Sequence, residues 1–296
     1  MDLETYLSSR LALVNHALER LIPSGEAYPQ VIHQAMRYST FAGGKRLRPI
    51  LTLAAAEAVG GDPERALPTA CALEMIHTYS LIHDDLPAMD NDDFRRGIPT
   101  CHKAYGEAMA ILAGDALLTR AFEVLSGNAE LPGVSPEVAL RVIREVAEAA
   151  GSLGLIAGQV VDIQSEGVPV STETLRYIHE HKTGVLFKTA VRSGALISMA
   201  SEKKLVALTD YAGYLGLAFQ ITDDILDVEG TIEKLGKSVG SDEKKLKATY
   251  PALFGLARSK ELAGEAVAQA ISSLEGLGAP AEPLREMARY LLARDH

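Results

Sequence analysis

The sequence predicts an all-α fold, and three features of its pattern point to that class. Apolar residues return at steps of three and four positions from the N-terminus onward: Leu3, Leu7, Leu11, Val14 and Leu18. This spacing places them on one face of a helix. A capping residue followed by proline, the pattern of a helix start, occurs at Asp62-Pro63 and again at Ser135-Pro136. Alternating patterns typical of β-strands are scarce.

The chain is predicted to form one domain over residues 1–296. Its composition, 47% hydrophobic and 23% charged residues, is enough for a sizeable core. No low-complexity linker divides it, and the stretch between Pro169 and Pro251 lacks proline and so suits long helices. The net charge of −10 argues against non-specific nucleic-acid binding, which needs a basic surface. An anionic ligand must therefore meet a local group of cations or metal ions.

The predicted compartment is the cytoplasm. Cys71 and Cys101 lack metal-ligand spacing and are expected to be buried small hydrophobes rather than a disulfide framework. Residues 1–10 lack the basic and apolar segments of a signal peptide. The longest uncharged run, residues 149–161, is shorter than the roughly 20 residues that a membrane-spanning helix needs. We therefore expect no membrane span.

An acidic cluster in FQITDDILD falls on a stretch that reads as a largely apolar helix. Asp223 and Asp227 lie about 40° apart on one face and roughly 6 Å apart along the axis, with Gln220 one turn earlier. A cation that bridges them would offset their repulsion, and hard oxygen ligands suit Mg²⁺, which also binds substrate phosphates. The alternative is a solvated acidic face, but carboxylates on a buried helix need partners.

A larger cluster of five aspartates lies in SLIHDDLPAMDNDDFRRG, residues 80–97. Asp84 and Asp90 are six residues apart and would lie on different sides of an ideal helix. Pro87 cannot continue the hydrogen-bond ladder, so the helix should end or bend there. If the two carboxylates share metal ions, this break turns Asp90 back toward Asp84. The two clusters can face each other only if their helices pack side by side.

Basic residues accompany both clusters. Lys45 and Arg48 lie one helical turn apart, directly after a glycine pair. The other candidates are Arg95, Arg96, Lys182 and Lys237. Each alone is typical of an exposed surface charge, although arginine and lysine are also the residues that bind phosphate. Together with the aspartates they predict sites for two polyanions, one bound through metal and one bound directly by cations.

Six motifs, in this order, resemble those of the trans-isoprenyl diphosphate synthases, and most closely the bacterial farnesyl diphosphate synthases: GGKRLRP (43–49), LIHDDLPAMDNDDFRRG (81–97), GQVVDI (158–163), HKTGVLF (181–187), FQITDDILD (219–227) and LGKSVGSDEKKLKATYP (235–251). The resemblance covers nearly the whole chain. It implies a single-domain bundle of long helices around a central cavity, usually in a homodimer. It also implies Mg²⁺ as cofactor, three ions with substrate bound, and isopentenyl and allylic diphosphates as substrates.

The resemblance implies a role for each matching residue. The metal ligands would be Asp84, Asp90 and Asp223, and Asp224 and Asp227 would support the last of these through water. The allylic diphosphate would contact Arg95, Lys182 and Lys237. Isopentenyl diphosphate, bound without metal, would contact Lys45, Arg48, His77 and Arg96. The developing carbocation would lie near the side-chain oxygens of Thr183 and Gln220. Gln159 and Asp162 would support the contacting residues without touching substrate or metal themselves.

Product length is predicted from the helix that precedes Asp84. His77 lies seven residues before it and about 20° off the same face, which favours substrate contact over the commoner role of a buried core histidine. Tyr79 and Ser80 occupy the chain-length positions that the resemblance implies. A bulky Tyr79 could close the tail pocket. The resemblance implies that in the bacterial branch a bulky residue there, together with two extra residues in the first motif (DDxxxxD rather than DDxxD), accompanies a fifteen-carbon product. We therefore predict farnesyl diphosphate.

Three other functions remain as alternatives. A geranylgeranyl diphosphate synthase differs only in the tail pocket. A class I terpene cyclase usually has a second metal motif rich in Asn, Ser and Glu, and often cages its cations with aromatic rings. This chain has a second aspartate-rich motif, no tryptophan and 5% aromatic residues. A non-catalytic regulatory subunit typically lacks aspartates from one cluster, whereas both are complete here. The reaction implied is ionisation of the allylic diphosphate, condensation and elimination.

Overall fold

The capping signals of the sequence mark true helix starts. The computed structural model of the chain describes residues 2–168, 170–229 and 249–293. The Asp62 side chain accepts a hydrogen bond from the Glu64 amide, and the Ser135 side chain accepts one from the Val138 amide. Each cap satisfies an amide that has no partner within its helix.

Helices account for nearly all of the regular structure. The first eight are α1 (Leu3–Leu21), α2 (Gln30–Thr40), α3 (Leu47–Ala58), α4 (Pro63–Asp84), α5 (Cys101–Tyr105), α6 (Glu107–Ser126), α7 (Pro136–Ala150) and α8 (Leu155–Gln164). The remaining α-helices within the described residues are α9 (Thr172–Ile178), α10 (Val185–Ile197), α11 (Glu202–Glu229), α12 (Tyr250–Phe254), α13 (Leu256–Ser273) and α14 (Glu282–Ala293). A π-helical segment, His179–Gly184, joins α9 to α10, and short 3₁₀ turns occupy Gly127–Glu130, Glu275–Leu277 and Ala279–Ala281. The all-α prediction is confirmed.

The core forms where α3, α4, α10 and α11 pack together. Helix α4 packs against α3 and α6, α10 packs against α3 and α11, and α11 packs along α13. Most side chains of α3 and α4 are buried, which explains why neither helix shows a clear polar face in the sequence. Both predicted site clusters therefore stand on elements that the core holds rigidly.

A two-residue hairpin follows the first aspartate cluster and was not predicted. Strand β1 (Phe94–Arg95) pairs antiparallel with β2 (Ile98–Pro99). Arg96 and Gly97 form the turn, and both have positive φ, 53° and 80°, as two-residue hairpin turns require. The consequence is that Arg95 lies on a strand and Arg96 in a turn, so the two neighbouring guanidinium groups reach different parts of the protein.

One stretch among the described residues, Pro136–Gln164, is long and apolar enough to cross a membrane by length and composition. The uncharged run 149–161 is only a part of this stretch, which also contains a few charged residues. In the structure it consists of α7 and α8, separated by a turn at residues 151–154. Only 33% of its most apolar window is buried, so it leaves apolar side chains exposed.

Helices α3 and α10 approach each other closely at Gly194. A Cβ atom there would lie 2.0 Å from the Thr52 carbonyl oxygen, so no side chain fits without moving the helices. We expect Gly194→Ala to lower the free energy of unfolding by about 1–3 kcal/mol, the usual range for overpacking a core. Urea denaturation measures this.

The matched control is Gly213→Ala in α11, where an added Cβ would meet nothing within 4 Å. That change should leave stability unchanged or raise it by up to about 1 kcal/mol, because alanine favours helix over glycine. Equal effects of the two substitutions would contradict the close approach of α3 and α10.

Candidate active site

The first aspartate cluster begins where α4 ends. The last residue of α4 is Asp84, three positions before Pro87. The Asp90 amide then donates a hydrogen bond of 2.8 Å to the Asp84 carbonyl, so the chain folds back on itself. The helix thus ends before Pro87, as the sequence predicted. The backbone of Asp90 returns to that of Asp84, and a shared metal ion remains a prediction.

Asp85 behaves differently from Asp84. Its carboxylate is buried and accepts a forked contact from Arg95, with Nε–Oδ1 and Nε–Oδ2 distances of 2.9 Å and an Nη2–Oδ1 distance of 2.6 Å. Burial raises the pKa of Asp85, and the Arg95 contact opposes that rise. Such a bidentate pair holds the guanidinium in one orientation. Asp85 is therefore the residue that orients Arg95, a role that the sequence analysis missed.

Asp84 lies at the meeting point of three elements. The Gln159 side-chain amide of α8 donates to its Oδ1. The Lys182 ammonium of the π-helical segment lies 3.9 Å from its Oδ2 and 2.6 Å from Oδ2 of Asp162. Gly158 allows this contact, since a Cβ there would lie 2.2 Å from the Lys182 amide nitrogen. Lys182, Gln159 and Asp162 are thus assembled around Asp84.

The same π-helical segment also contacts the second aspartate cluster. His179 Nε2 lies 3.9 Å from Asp224 Oδ2, and the His179 ring stacks on Tyr250 with centroids 5.5 Å apart. The Asp224 carboxylate also accepts a hydrogen bond of 2.8 Å from the Tyr250 amide. Asp224 therefore holds the start of α12. Its neighbour Asp223 is only half-buried, which leaves it the more accessible of the two.

The arginines near α3 have three different kinds of partner. Arg46 is buried and pairs with Glu74 at 2.8 Å. Arg96 donates to the Gly43 carbonyl. The guanidinium carbon of Arg48 lies 5.0 Å from the centre of the Phe187 ring, and its Nε is buried without a hydrogen-bond partner. Arg48 and Arg96 thus bring positive charge that no carboxylate contact in the described residues neutralises.

His77 lies in the field of these arginines. Burial, then Arg48 and Arg96, and then more weakly Arg95 and Arg46, hold its pKa well below the ordinary value, so the ring is neutral at pH 7. Burial lowers the pKa of Arg48 to about 10, which still leaves it charged. Lys45 is exposed in the loop that precedes α3. Of the four residues predicted for the metal-free diphosphate, Arg48 and Arg96 thus lie close enough to His77 to lower its pKa.

The remaining predicted residues have simpler surroundings. Thr183 lies in the π-helical segment and Gln220 on α11, and both are half-buried. Tyr79 is 5% exposed, its hydroxyl has no hydrogen-bond partner, and its ring meets His83 edge to face at 5.7 Å. Ser80 donates to the His77 carbonyl at 2.8 Å. Lys237 lies outside the described residues.

The carboxylates alone do not form a closed metal site. Within residues 2–168, 170–229 and 249–293, no group of three His, Cys, Asp or Glu side chains is arranged to hold a metal ion.

Comparison with known proteins identifies the family. The polyprenyl synthetase family matches residues 29–276. The chain belongs to this family. It is 49% identical to a farnesyl diphosphate synthase of Geobacillus stearothermophilus, with 100% of this chain and 99% of that one aligned. It is 50% identical to a geranylgeranyl diphosphate synthase of Cyanophora paradoxa over 100% and 97% of the two chains.

Solved structures share the fold. An FPP/GFPP synthase from Zymomonas mobilis superposes with a TM-score of 0.87 at 38% identity, covering 98% of this chain and 99% of that one. A geranylgeranyl pyrophosphate synthetase from Pyrococcus horikoshii superposes with a TM-score of 0.88 at 33% identity, covering 99% and 98%. The chain is thus a prenyltransferase of the trans-prenyl diphosphate synthase type, with the isoprenoid synthase fold. Its relatives make products of different lengths, so similarity alone does not choose the product.

The buried His179 should make stability depend on pH. Desolvation lowers its pKa from 6.5 to about 4, with Asp162 raising the pKa and Lys182 lowering it. Between these two values the unfolded chain binds a proton that the folded chain does not, so stability falls as the pH falls. We expect His179→Gln to reduce the loss of stability between pH 7 and pH 5 by about 2 kcal/mol. Urea denaturation at both pH values measures it.

His16→Gln is the control, because His16 is exposed on α1. This substitution should leave the pH dependence of the wild-type protein unchanged. A pH dependence that is the same in His179→Gln and in the wild type would contradict a lowered pKa of His179 in the folded protein.

Proposed function

We propose that this protein is a farnesyl diphosphate synthase. It would join isopentenyl diphosphate to dimethylallyl diphosphate, and then to geranyl diphosphate. The observation that supports this most directly is the pairing of two unlike charge patterns. Carboxylates with one lysine gather around Asp84, whereas Arg48 and Arg96 lie beside a neutral His77 with no carboxylate contact. Two anionic substrates, one bound through metal and one without it, need this combination.

The carboxylate side fits Mg²⁺ by its donor chemistry. Asp84, Asp90 and Asp223 offer hard oxygen ligands, and the return of the chain at Asp90 brings the first two together. These residues would hold the ions, three of them with substrate bound. When bound, Mg²⁺ supplies positive charge that stabilises the departing diphosphate.

The protein's own groups prepare ionisation of the allylic substrate. Asp85 fixes the Arg95 guanidinium, and Lys182 lies within 3.9 Å of Asp84, so both cations can meet the leaving group with little reorganisation. Preorganised charge of this kind stabilises the charge that develops as the carbon–oxygen bond breaks. Lys237 would add a third cation. Thr183 and Gln220 would turn their side-chain oxygens toward the carbocation.

The region around Arg48, Arg96 and His77, here called the arginine region, prepares the second step, which is condensation. Lys45, Arg48, His77 and Arg96 would hold isopentenyl diphosphate so that its double bond attacks the cation. A proton must then leave the new carbon chain. The departing diphosphate is the base that the family resemblance implies, since these motifs contain no other convincing base. Exclusion of water protects the cation from hydrolysis.

Product length can be tested on Tyr79. We expect the pure protein, given Mg²⁺, isopentenyl diphosphate and dimethylallyl or geranyl diphosphate, to form mainly a linear fifteen-carbon diphosphate by mass spectrometry. Tyr79→Ala should remove the ring that closes the tail pocket and make products of twenty carbons or more predominate. Ser80→Ala is the control for the neighbouring position and should change the product less, because it removes only one oxygen.

The alternatives give different results in this assay. A twenty-carbon product from the wild type would identify a geranylgeranyl diphosphate synthase, which the 50%-identical Cyanophora relative favours. Cyclic hydrocarbon would indicate a cyclase, and no condensation would indicate a regulatory subunit. A product unchanged in Tyr79→Ala would eliminate the role of Tyr79 while leaving the reaction intact.

We propose that two copies associate through α8 and the adjacent helices. Ile156, Val160 and Ile163 recur at steps of four and three along α8 and are 43%, 47% and 43% exposed. Such a stripe marks one helix face, and exposed apolar side chains in a row are typical of protein interfaces. Ile111 and Leu112 on α6 are exposed to a similar degree. The same stripe accounts for the apolar character of Pro136–Gln164 without a membrane span, in keeping with a cytoplasmic enzyme.

Analytical ultracentrifugation tests this association. We expect the wild type to sediment as a dimer, and Val160→Asp to shift it toward the monomer because a charge in an apolar interface loses its hydration. The control is Val206→Asp, at a similarly exposed valine on α11. A monomeric wild type, or dissociation by both variants, would contradict an interface at α8. Recovery in the membrane fraction would contradict the proposed compartment.

A further inference from the structure

Arg48 has the least ordinary partner of the three arginines near α3, which are Arg46, Arg48 and Arg96. Arg46 has a carboxylate, and Arg96 has a backbone carbonyl. Arg48 has the face of Phe187, at 5.0 Å from the guanidinium carbon to the ring centre. No carboxylate in the described residues lies within ion-pair distance of it, and its Nε is buried and unpaired. A guanidinium in this state is held by the aromatic ring and by packing.

Phe187 is itself firmly placed. It lies in the first turn of α10, is completely buried, and packs against the Phe219 ring with centroids 5.0 Å apart. The close approach of α3 and α10 at Gly194 keeps the helix that bears Arg48 against the helix that bears Phe187. The ring is therefore a rigid surface rather than a mobile side chain that happens to lie near a charge.

An aromatic ring differs from a carboxylate in one respect that matters here. The face of a ring attracts a cation and orients its plane, but it does not cancel the charge. A carboxylate at the same place would neutralise Arg48, as Glu74 neutralises Arg46, and would repel an incoming diphosphate. A ring leaves the full charge of the guanidinium available to an anion.

We propose that Phe187 is a positioning residue for the metal-free diphosphate, acting through Arg48. This inference rests on the proposed function, which assigns Arg48 to isopentenyl diphosphate. Phe187 touches neither the diphosphate nor the reacting atoms. It presents Arg48 in the orientation that the diphosphate needs. Removing the ring therefore weakens the binding of isopentenyl diphosphate selectively.

The test is binding without metal. We expect Phe187→Leu to weaken the binding of isopentenyl diphosphate between about three- and thirty-fold. This range follows from the strength of a cation–π contact at a partly to fully desolvated site. Isothermal titration calorimetry in buffer with chelator, with isopentenyl diphosphate and with inorganic diphosphate as separate titrants, measures the change. In the full reaction the KM for isopentenyl diphosphate should rise by the same factor, while the KM for the allylic diphosphate stays within two-fold.

Two controls separate positioning from a loss of structure. Phe122→Leu makes the same change at a partly buried ring on α6 and should leave both KM values unchanged. In an Arg48→Gln background, Phe187→Leu should cause no further loss, because the cation that the ring holds is absent. If Phe187→Leu fails to fold, as judged by its thermal transition, Phe187→Met retains more of the side chain's length and takes its place.

The outcomes are distinct. The proposal is overturned if Phe187→Leu binds isopentenyl diphosphate as the wild type does, if both KM values rise together, or if the loss persists without Arg48. A wild type that forms no condensation product would instead contradict the proposed function. The titration with inorganic diphosphate still decides the role of Phe187 in that case, because the Arg48→Gln background shows which part of the binding depends on Arg48.

Discussion

The Lys182 ammonium, lying among the carboxylates of Asp84 and Asp162, is the contact on which the arrangement of the site depends. It joins the end of α4, the helix α8 and the π-helical segment His179–Gly184. That segment also places His179 against Asp224, so one short stretch of chain touches both aspartate clusters. Clusters of like charge repel each other at close range. The Lys182 ammonium opposes this repulsion between the carboxylates of Asp84 and Asp162.

A π-helical segment suits this task for a geometric reason. It widens the helix and shifts the side chains that follow relative to those of an ordinary α-helix, and such segments are frequent at functional sites. Here His179 points to one cluster and Lys182, three residues later, to the other. The segment also accommodates the close contact of Gly158 with the Lys182 backbone. The π-helical segment is thus both the irregular part of the helix and the element that positions His179 and Lys182.

Around α3, the partner of each arginine determines whether its charge is neutralised. Glu74 pairs with Arg46, which is buried in the loop before α3, so this buried charge has a counter-ion. Arg48 and Arg96 are held by a ring and a carbonyl, which orient the charge without cancelling it. Burial keeps His77 neutral beside them. Near α3, Arg46 thus differs from Arg48 and Arg96 in its partner rather than in its type.

The sequence alone determined the all-α class, the helix starts at Asp62 and Ser135, and the family, because these depend on periodicity, local capping and ordered motifs. It also indicated that Asp90 returns toward Asp84, since Pro87 stops a helix by local chemistry. Local patterns do not record which side chains meet across the bundle. The pairing of Asp85 with Arg95, the bridge from His179 to Asp224 and the ring of Phe187 over Arg48 were decided only by tertiary packing. Each joins residues whose separation in the sequence has no fixed period, and so only the folded chain brings them into contact.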